Sequence, residues 1–167
     1  MRCIADTAPS QPTAPLPSDL PRATLRGFRP LDVPFIASIV EEALHERYDP
    51  SLYGSLSAEW PDGFLVAADP DEVPIGFLLG VSQVVGEARV LMFAVARGHR
   101  AQGVGARLMD AFLDRCRARG FRRVTLEVRV SNATAIRFYA RYRFSVTDLL
   151  RAYYSDGENG YQMARPA

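Results

Sequence analysis

The stretch Arg100–Gly120, RAQGVGARLMDAFLDRCRARG, puts two glycines, Gly103 and Gly105, at the mouth of a helix. Val104, Leu108, Phe112 and Cys116 form one row four residues apart, and Met109 and Leu113 widen it. Arg107, Asp110, Asp114, Arg115, Arg117 and Arg119 cover the opposite side, and Gly120 supplies the stop. Glycine costs roughly 1 kcal/mol against alanine inside a helix, so its use at the start asks for a reason. A helix N-terminus carries unpaired N–H groups and a partial positive charge, and it binds anions. Gly103 and Gly105 in R-x-x-G-x-G would let a phosphate approach the backbone; the competing reading is a glycine turn with no ligand. The familiar nucleotide loops do not match: there is no G-x-x-x-x-G-K-[ST], and Leu108 stands at the third position of G-x-G-x-x-G.

Outward from this helix, the pattern alternates. Before it, ARVLMFAV (88–95) reads as a strand apolar on both faces, hence buried on both. After it, RRVTLEVRV (122–130) is a strand, NATAIRFYARY (132–142) a helix, and FSVTDLL (144–150) and GYQMAR (160–165) are strands. Upstream, ATLRGFR (23–29) is a short strand. LDVPFIASIVEEALHERY (31–48) is a helix capped by Asp32, with Pro34 in its first turn and Phe35, Ile36, Ile39, Val40, Ala43 and Leu44 as its apolar row. SLYGSLSAEW (51–60) is a second short helix or an irregular segment. GFLVAAD and VPIGFLLGVSQV are strands joined by a turn at DPDEVP. Strands alternating with helices predict an α/β fold with parallel pairs in its sheet.

Composition narrows the function. The chain has 167 residues, enough for one domain with a real core. Twenty basic residues against nineteen acidic leave a net charge of +1, which argues against a general nucleic-acid surface. No apolar run approaches a membrane span, and the N-terminal segment lacks the apolar region of a secretory signal. Cys3 and Cys116 form neither a disulfide framework nor a metal site, and read as free thiols of a reducing cytoplasm. Residues 1–22 hold five of the twelve prolines and read as a disordered tail; residues 23–167 read as the folded domain.

Two further segments ask for explanation. In VTLEVRV, Val124, Leu126, Val128 and Val130 share one face, and Thr125, Glu127 and Arg129 the other. A carboxylate on an interior strand is costly unless hydrated, paired or used. Glu127 is therefore a candidate base beside a cleft, or one half of a structural salt bridge. In SNATAIRFY, Ser131 or Asn132 caps the next helix. Tyr139 lies two turns from Asn132 on the same face, either as a site residue or as a core tyrosine.

Together, the strand ending MFAV, the loop RAQGVGA and the run LEVRVSNATAIRFYARYRF resemble the GNAT superfamily of N-acetyltransferases. The resemblance runs from about residue 23 to 165. LEVRVSNATAIRFY and AYYSDGENGYQMA are most similar to the protein N-terminal (Nα) acetyltransferases of RimI type and their archaeal relatives. LHERYDPSLY is more loosely similar to the LPENY segment of that branch, departing at His45 and Arg47. The loop departs at Ala101, where relatives carry a second basic residue.

The resemblance implies a mixed sheet of six to seven strands with helices on both faces, and acetyl-CoA in a gap between two splayed parallel strands. It implies that the backbone of Phe93, Ala94 and Val95 pairs with the pantetheine arm. Arg100, Ala101, Gln102, Gly103, Val104, Gly105 and Ala106 would hold the pyrophosphate, and Asn132 the cofactor arm. It gives Glu127 as general base, and Tyr139 as a cofactor-side general acid. Glu46, Tyr48, Tyr153 and Tyr154 would bind the acceptor, a protein or peptide N-terminus; no metal is implied. The alternatives are a lysine or small-molecule acetyltransferase on the same scaffold, a non-catalytic CoA-binding module, and a nucleotide-binding protein.

Overall fold

A computed structural model describes residues 23–167; the proline-rich segment 1–22, with Cys3, lies outside them. Seven strands form one sheet: β1 (Thr24–Gly27), β2 (Phe64–Ala68), β3 (Pro74–Val84), β4 (Glu87–Val95), β5 (Arg123–Arg129), β6 (Ser145–Leu150) and β7 (Gly160–Pro166). Their order in the sheet is β1-β2-β3-β4-β5-β7-β6. Only β4 and β5 run parallel among the described strands; every other pairing is antiparallel. Four helices complete the fold: α1 (Val33–Leu44), α2 (Pro50–Glu59), α3 (Val104–Ala118) and α4 (Ala133–Arg141). The mixed seven-stranded sheet is the one expected.

The helices cover both faces. On one face α3 buries Val104, Leu108, Met109, Phe112, Leu113 and Cys116, the row seen in the sequence, against Leu65, Leu78, Val90, Val124 and Leu126. On the other, Ile36, Ile39 and Val40 of α1 and Tyr53 and Leu56 of α2 pack on Phe64, Val66, Phe77 and Leu79. Neighbouring residues on one strand thus go to opposite cores, as the two-residue period of a strand demands.

In β4 the phase changes. Leu79 pairs with Met92 but Gly80 with Val90, so Leu91 is an extra residue. A bulge of this kind moves every later side chain to the other face. Ala88 and Val90 therefore pack with α3, whereas Met92 and Ala94 pack with α1 and α2. Phe93 and Val95 turn to the α3 side, half-buried. This corrects the expectation that ARVLMFAV is buried on both faces: Arg89, Leu91, Phe93 and Val95 are only partly covered, because the neighbour beyond them has moved away.

Two expectations for α1 also change. Phe35 was expected in its apolar row but is 45% exposed. Asp32 makes no side-chain bond to the first turn of α1. Instead it is buried, takes both Nη groups of Arg26 at 2.8 Å, and accepts the Arg29 N–H at 2.7 Å. Asp32 thus clamps β1 to the start of α1. The helix stops at Leu44, so Glu46 and Tyr48 lie in the loop between α1 and α2.

Arg26 and Asp32 side chains are 13% and 5% exposed. Removing one partner of so buried a pair strands the other charge. Asp32→Ala should cost about 3 kcal/mol and lower Tm by roughly 6–12 °C for a chain of this size. Thermal denaturation followed by circular dichroism checks this, and a shift of a degree or two would show that Glu72, the second partner of Arg26, suffices.

Candidate active site

The site begins where β4 and β5 part. They pair from Glu87 opposite Arg123 to Val90 opposite Leu126 and no further. Beyond that, β4 stays with β3, while β5 stays with β7 through Glu127, Val128 and Arg129. A gap opens between Leu91–Val95 on one side and Glu127–Arg129 on the other. The Ala96 N–H bonds Ile75 of β3, so by alternation the peptide groups of Ala94 also face β3. Those of Phe93 and Val95 face the gap.

At the end of the gap stands α3. Gly103 takes φ +82°, a left-handed conformation that glycine adopts without penalty, and a side chain added there would meet nothing within 4 Å. Gly105 has a different reason: a Cβ there would lie 3.3 Å from the Phe93 ring. The first intrahelical bond is Arg107 N–H to the Gly103 carbonyl, which leaves the N–H groups of Val104, Gly105 and Ala106 without helical acceptors. Ala101 is left-handed at φ 59°. Gln102 donates to the Gly98 carbonyl at 2.9 Å. Arg100 is folded back, its Nε donating to the Val95 carbonyl at 2.9 Å. That bond uses one of the gap-facing groups of β4.

Across the gap, Asn132 caps α4: its Oδ1 accepts the Ala135 N–H at 3.0 Å, so only its amide N–H groups remain. Tyr139 is buried, its ring packed on Phe93, Phe138 and Phe144. Burial, and to a lesser degree the charge of Tyr154, pushes its phenol far above the ordinary range. Tyr142 fastens α4 to α3 through a 3.1 Å bond to the Ala106 carbonyl.

On the opposite face, Glu127 is 12% exposed at its side chain and is paired with Arg89 of β4 at 2.8 Å. Arg89 also donates to the Tyr153 hydroxyl at 3.0 Å. Burial works against the guanidinium charge, but the bond and charge of Glu127 outweigh it and raise its pKa. Tyr154 packs its ring on the Arg129 guanidinium at 4.0 Å. Burial pushes its phenol up to about 12, with Arg129 opposing and Tyr153, Glu127 and Glu158 adding. Tyr48 is likewise pushed up to about 12 by burial and by Glu46, with smaller effects from Tyr53 and Tyr153. Glu46, Tyr48, Tyr153 and Tyr154 therefore gather over Glu127 from two loops far apart in sequence.

The structure brings together Glu127, Tyr139, the gap-facing backbone of Phe93 and Val95, the α3 start and the four acceptor-side residues. It turns Ala94's peptide groups to β3 and Arg100 toward its own strand. Arg89 was passed over in the sequence because ARVLMFAV was read as apolar throughout. The signal was there: an arginine on one strand and a glutamate on the next, each out of place. Among the described residues no group of His, Cys, Asp and Glu could hold a metal, and no helix is long and apolar enough to cross a membrane. Cys116 is a buried thiol, pushed up to about 12 by burial.

Residues 33–144 match the model of the Acetyltransferase (GNAT) family, and the chain belongs to that family. It is 33% identical to an N-alpha-acetyltransferase of Sulfurisphaera tokodaii over 154 residues, covering 85% of this chain and 92% of that protein. The structure of Ard1 from Thermoplasma volcanium superposes with TM-score 0.84 at 42% identity, covering 87% of this chain and 98% of that one. The ribosomal-protein-S18-alanine N-acetyltransferase from Escherichia coli superposes with TM-score 0.74 at 26% identity, covering 86% and 93%.

The loop carrying the two tyrosines is held by carboxylates. Glu158 accepts from Ser131 and from Arg129 Nη1 at 2.7 Å, and Asp156 from Arg129 Nη1 at 2.8 Å. The Ser131 bonds and Arg129 lower Glu158; the Glu158 N–H and Arg129 lower Asp156. A depressed folded pKa stabilises the bound loop above the unfolded value and loses that effect as pH falls through the folded one. The loop should therefore loosen only in acid, below the ordinary carboxylate range near pH 4. Amide exchange at residues 151–159, corrected for intrinsic rates, should show protection steady from pH 8 to 5 and falling below about 4. Protection independent of pH would mean that backbone bonds alone hold the loop.

Proposed function

We propose that the protein acetylates the free α-amine of a protein or peptide N-terminus, with acetyl-CoA as donor. The observation that carries this reading is the gathering of Glu46, Tyr48, Tyr153 and Tyr154 over Glu127, above the gap between β4 and β5. The N-alpha-acetyltransferase activity named for the Sulfurisphaera relative supports it.

The residues present fit acetyl-CoA. The unpaired peptide edge at Phe93 and Val95 suits the amides of the pantetheine arm, which would join the sheet as an extra strand. The open space at Gly103 and the unbonded N–H groups of Val104, Gly105 and Ala106 suit a pyrophosphate at a helix start. Ala101, Gln102 and Arg100 border that loop, and the free amide of Asn132 borders the arm. Bound acetyl-CoA supplies an acetyl group activated as a thioester, from which a thiolate leaves. Glu127 accepts the proton that the attacking amine loses. Tyr139, held protonated by burial, supplies a proton to the departing sulfur.

An α-amine suits this site. Its pKa is about 8 against about 10.4 for lysine, so at pH 7 it is neutral a few hundred times more often. The tyrosine hydroxyls hydrogen-bond a peptide backbone while their rings narrow the entrance. A narrow entrance admits a chain end more easily than a mid-chain lysine. Acetylation of ribosomal proteins falls within this reading, through the likeness to the Escherichia coli enzyme.

Gly103→Glu puts strain and a negative charge where the pyrophosphate would sit, and should abolish acetyl-CoA binding by calorimetry; Gly103→Asn, tolerant of positive φ, should retain much of it. Unchanged affinity in Gly103→Glu would remove the loop from the cofactor site.

The acceptor is tested with two peptides: one with a blocked N-terminus and a single lysine, one with a free N-terminus and no lysine. The chain itself contains no lysine, so lysine acetylation in the assay belongs to the peptide. The free-N-terminus peptide should react at least about tenfold faster, given the amine pKa gap. Equal rates would assign the enzyme to lysines or small amines.

A further inference from the structure

The two oxygens of Glu127 stand in different surroundings. Oε2 lies 2.8 Å from both Nε and Nη2 of Arg89, and Oε1 accepts from no described residue. Arg89 pairs with Thr125 one rung before the strands part, so its side chain and that of Glu127 are diagonal neighbours on one face. The same Nη2 donates to the Tyr153 hydroxyl at 3.0 Å. The guanidinium thus touches a carboxylate on the floor of the gap and a tyrosine of the loop above it.

We propose that Arg89 is a positioning residue for acetyl transfer, which engages Glu127 Oε2 so that Oε1 alone is left to take the acceptor's proton. This rests on the reading of Glu127 as the base. The planar fork of arginine suits the task, since two N–H groups on one oxygen fix both the place and the rotation of the carboxylate. A lysine would supply charge without that orientation. Through Tyr153 the same guanidinium sets the peptide loop relative to the base, so that an acceptor held by Tyr153 arrives beside Oε1. The proton balance is simple: the amine loses one proton to Oε1 as its bond to the acetyl carbon forms. The C–S bond breaks, and the sulfur takes one from Tyr139.

Arg89 could instead serve only to neutralise a buried carboxylate, and then its loss would appear in stability alone. Steady-state kinetics on the full-length enzyme separate the two, using a free-N-terminus peptide and acetyl-CoA. Wild type, Arg89→Gln, Glu127→Gln and the double variant are compared, with melting temperatures alongside. Arg89→Gln should lower kcat by about 10–100-fold, raise KM for the peptide through Tyr153, and leave KM for acetyl-CoA as it is. The double variant should be no slower than Glu127→Gln alone, because Arg89 acts through that carboxylate. Arg89→Lys should recover only part of kcat while keeping the wild-type melting temperature. It answers the same question if Arg89→Gln fails to fold.

Losses that multiply in the double variant, or full activity in Arg89→Lys, overturn the positioning role while the base stands. A loss under about threefold in Glu127→Gln, against the 10²–10⁴ typical of acid–base groups, overturns the reading of Glu127 itself.

Discussion

One extra residue in β4, Leu91, governs the arrangement of everything around the site. Before it, β4 is an ordinary interior strand, hydrogen-bonded to β3 on one side and β5 on the other. At the bulge its path bends away from β5, and the peptide groups of Phe93 and Val95 lose their partners. Backbone N–H and C=O groups inside a sheet are costly to leave unpaired. The fold accepts this at the point where a substrate arm with amides of its own would complete the pairing. The same bulge rotates Phe93 toward α3 and Tyr139, where the ring closes the space beside Gly105. A missing residue at 91 would send Phe93 back to the other core and close the gap.

Around that gap the two faces of the sheet divide the labour. The α3 side is apolar and carries the glycine-bearing helix start. The α1 and α2 side carries the charges: Glu127 with Arg89, Arg129 with Asp156 and Glu158, and Tyr48 with Glu46. Partly buried ions persist there because each has an opposite charge within hydrogen-bonding distance, which offsets the cost of removing water. The loop bearing Tyr153 and Tyr154 has little apolar anchorage, and ion pairs to β5 take its place. Substrate recognition is thereby wired to the strand that bears Glu127.

Much of this was legible in the sequence. The apolar row of α3, the strand carrying Glu127, the Asn132 cap and the glycine start follow from spacing and from local backbone chemistry, which neighbours three or four residues away decide. Glu127 stood out because a carboxylate on a core strand is physically out of place. Sequence also assigned the family, since its glycine loop and the run after β5 are local motifs.

What sequence left open depends on contacts between distant segments. Asp32 reads as a helix cap, yet Arg26, on another element, captures its carboxylate first. Phe35 fits the helical period but sits where no second layer covers it. The bulge at Leu91 leaves no mark in an apolar run, because a shift of one residue changes only which core each side chain enters. Arg89 gained a partner only when β4 and β5 lay side by side. The sequence by itself determined the elements, the family and the candidate base, because these rest on local periodicity and local motifs. Tertiary structure alone decided which oxygen of Glu127 is free and which peptide groups face the gap, because both depend on strand register.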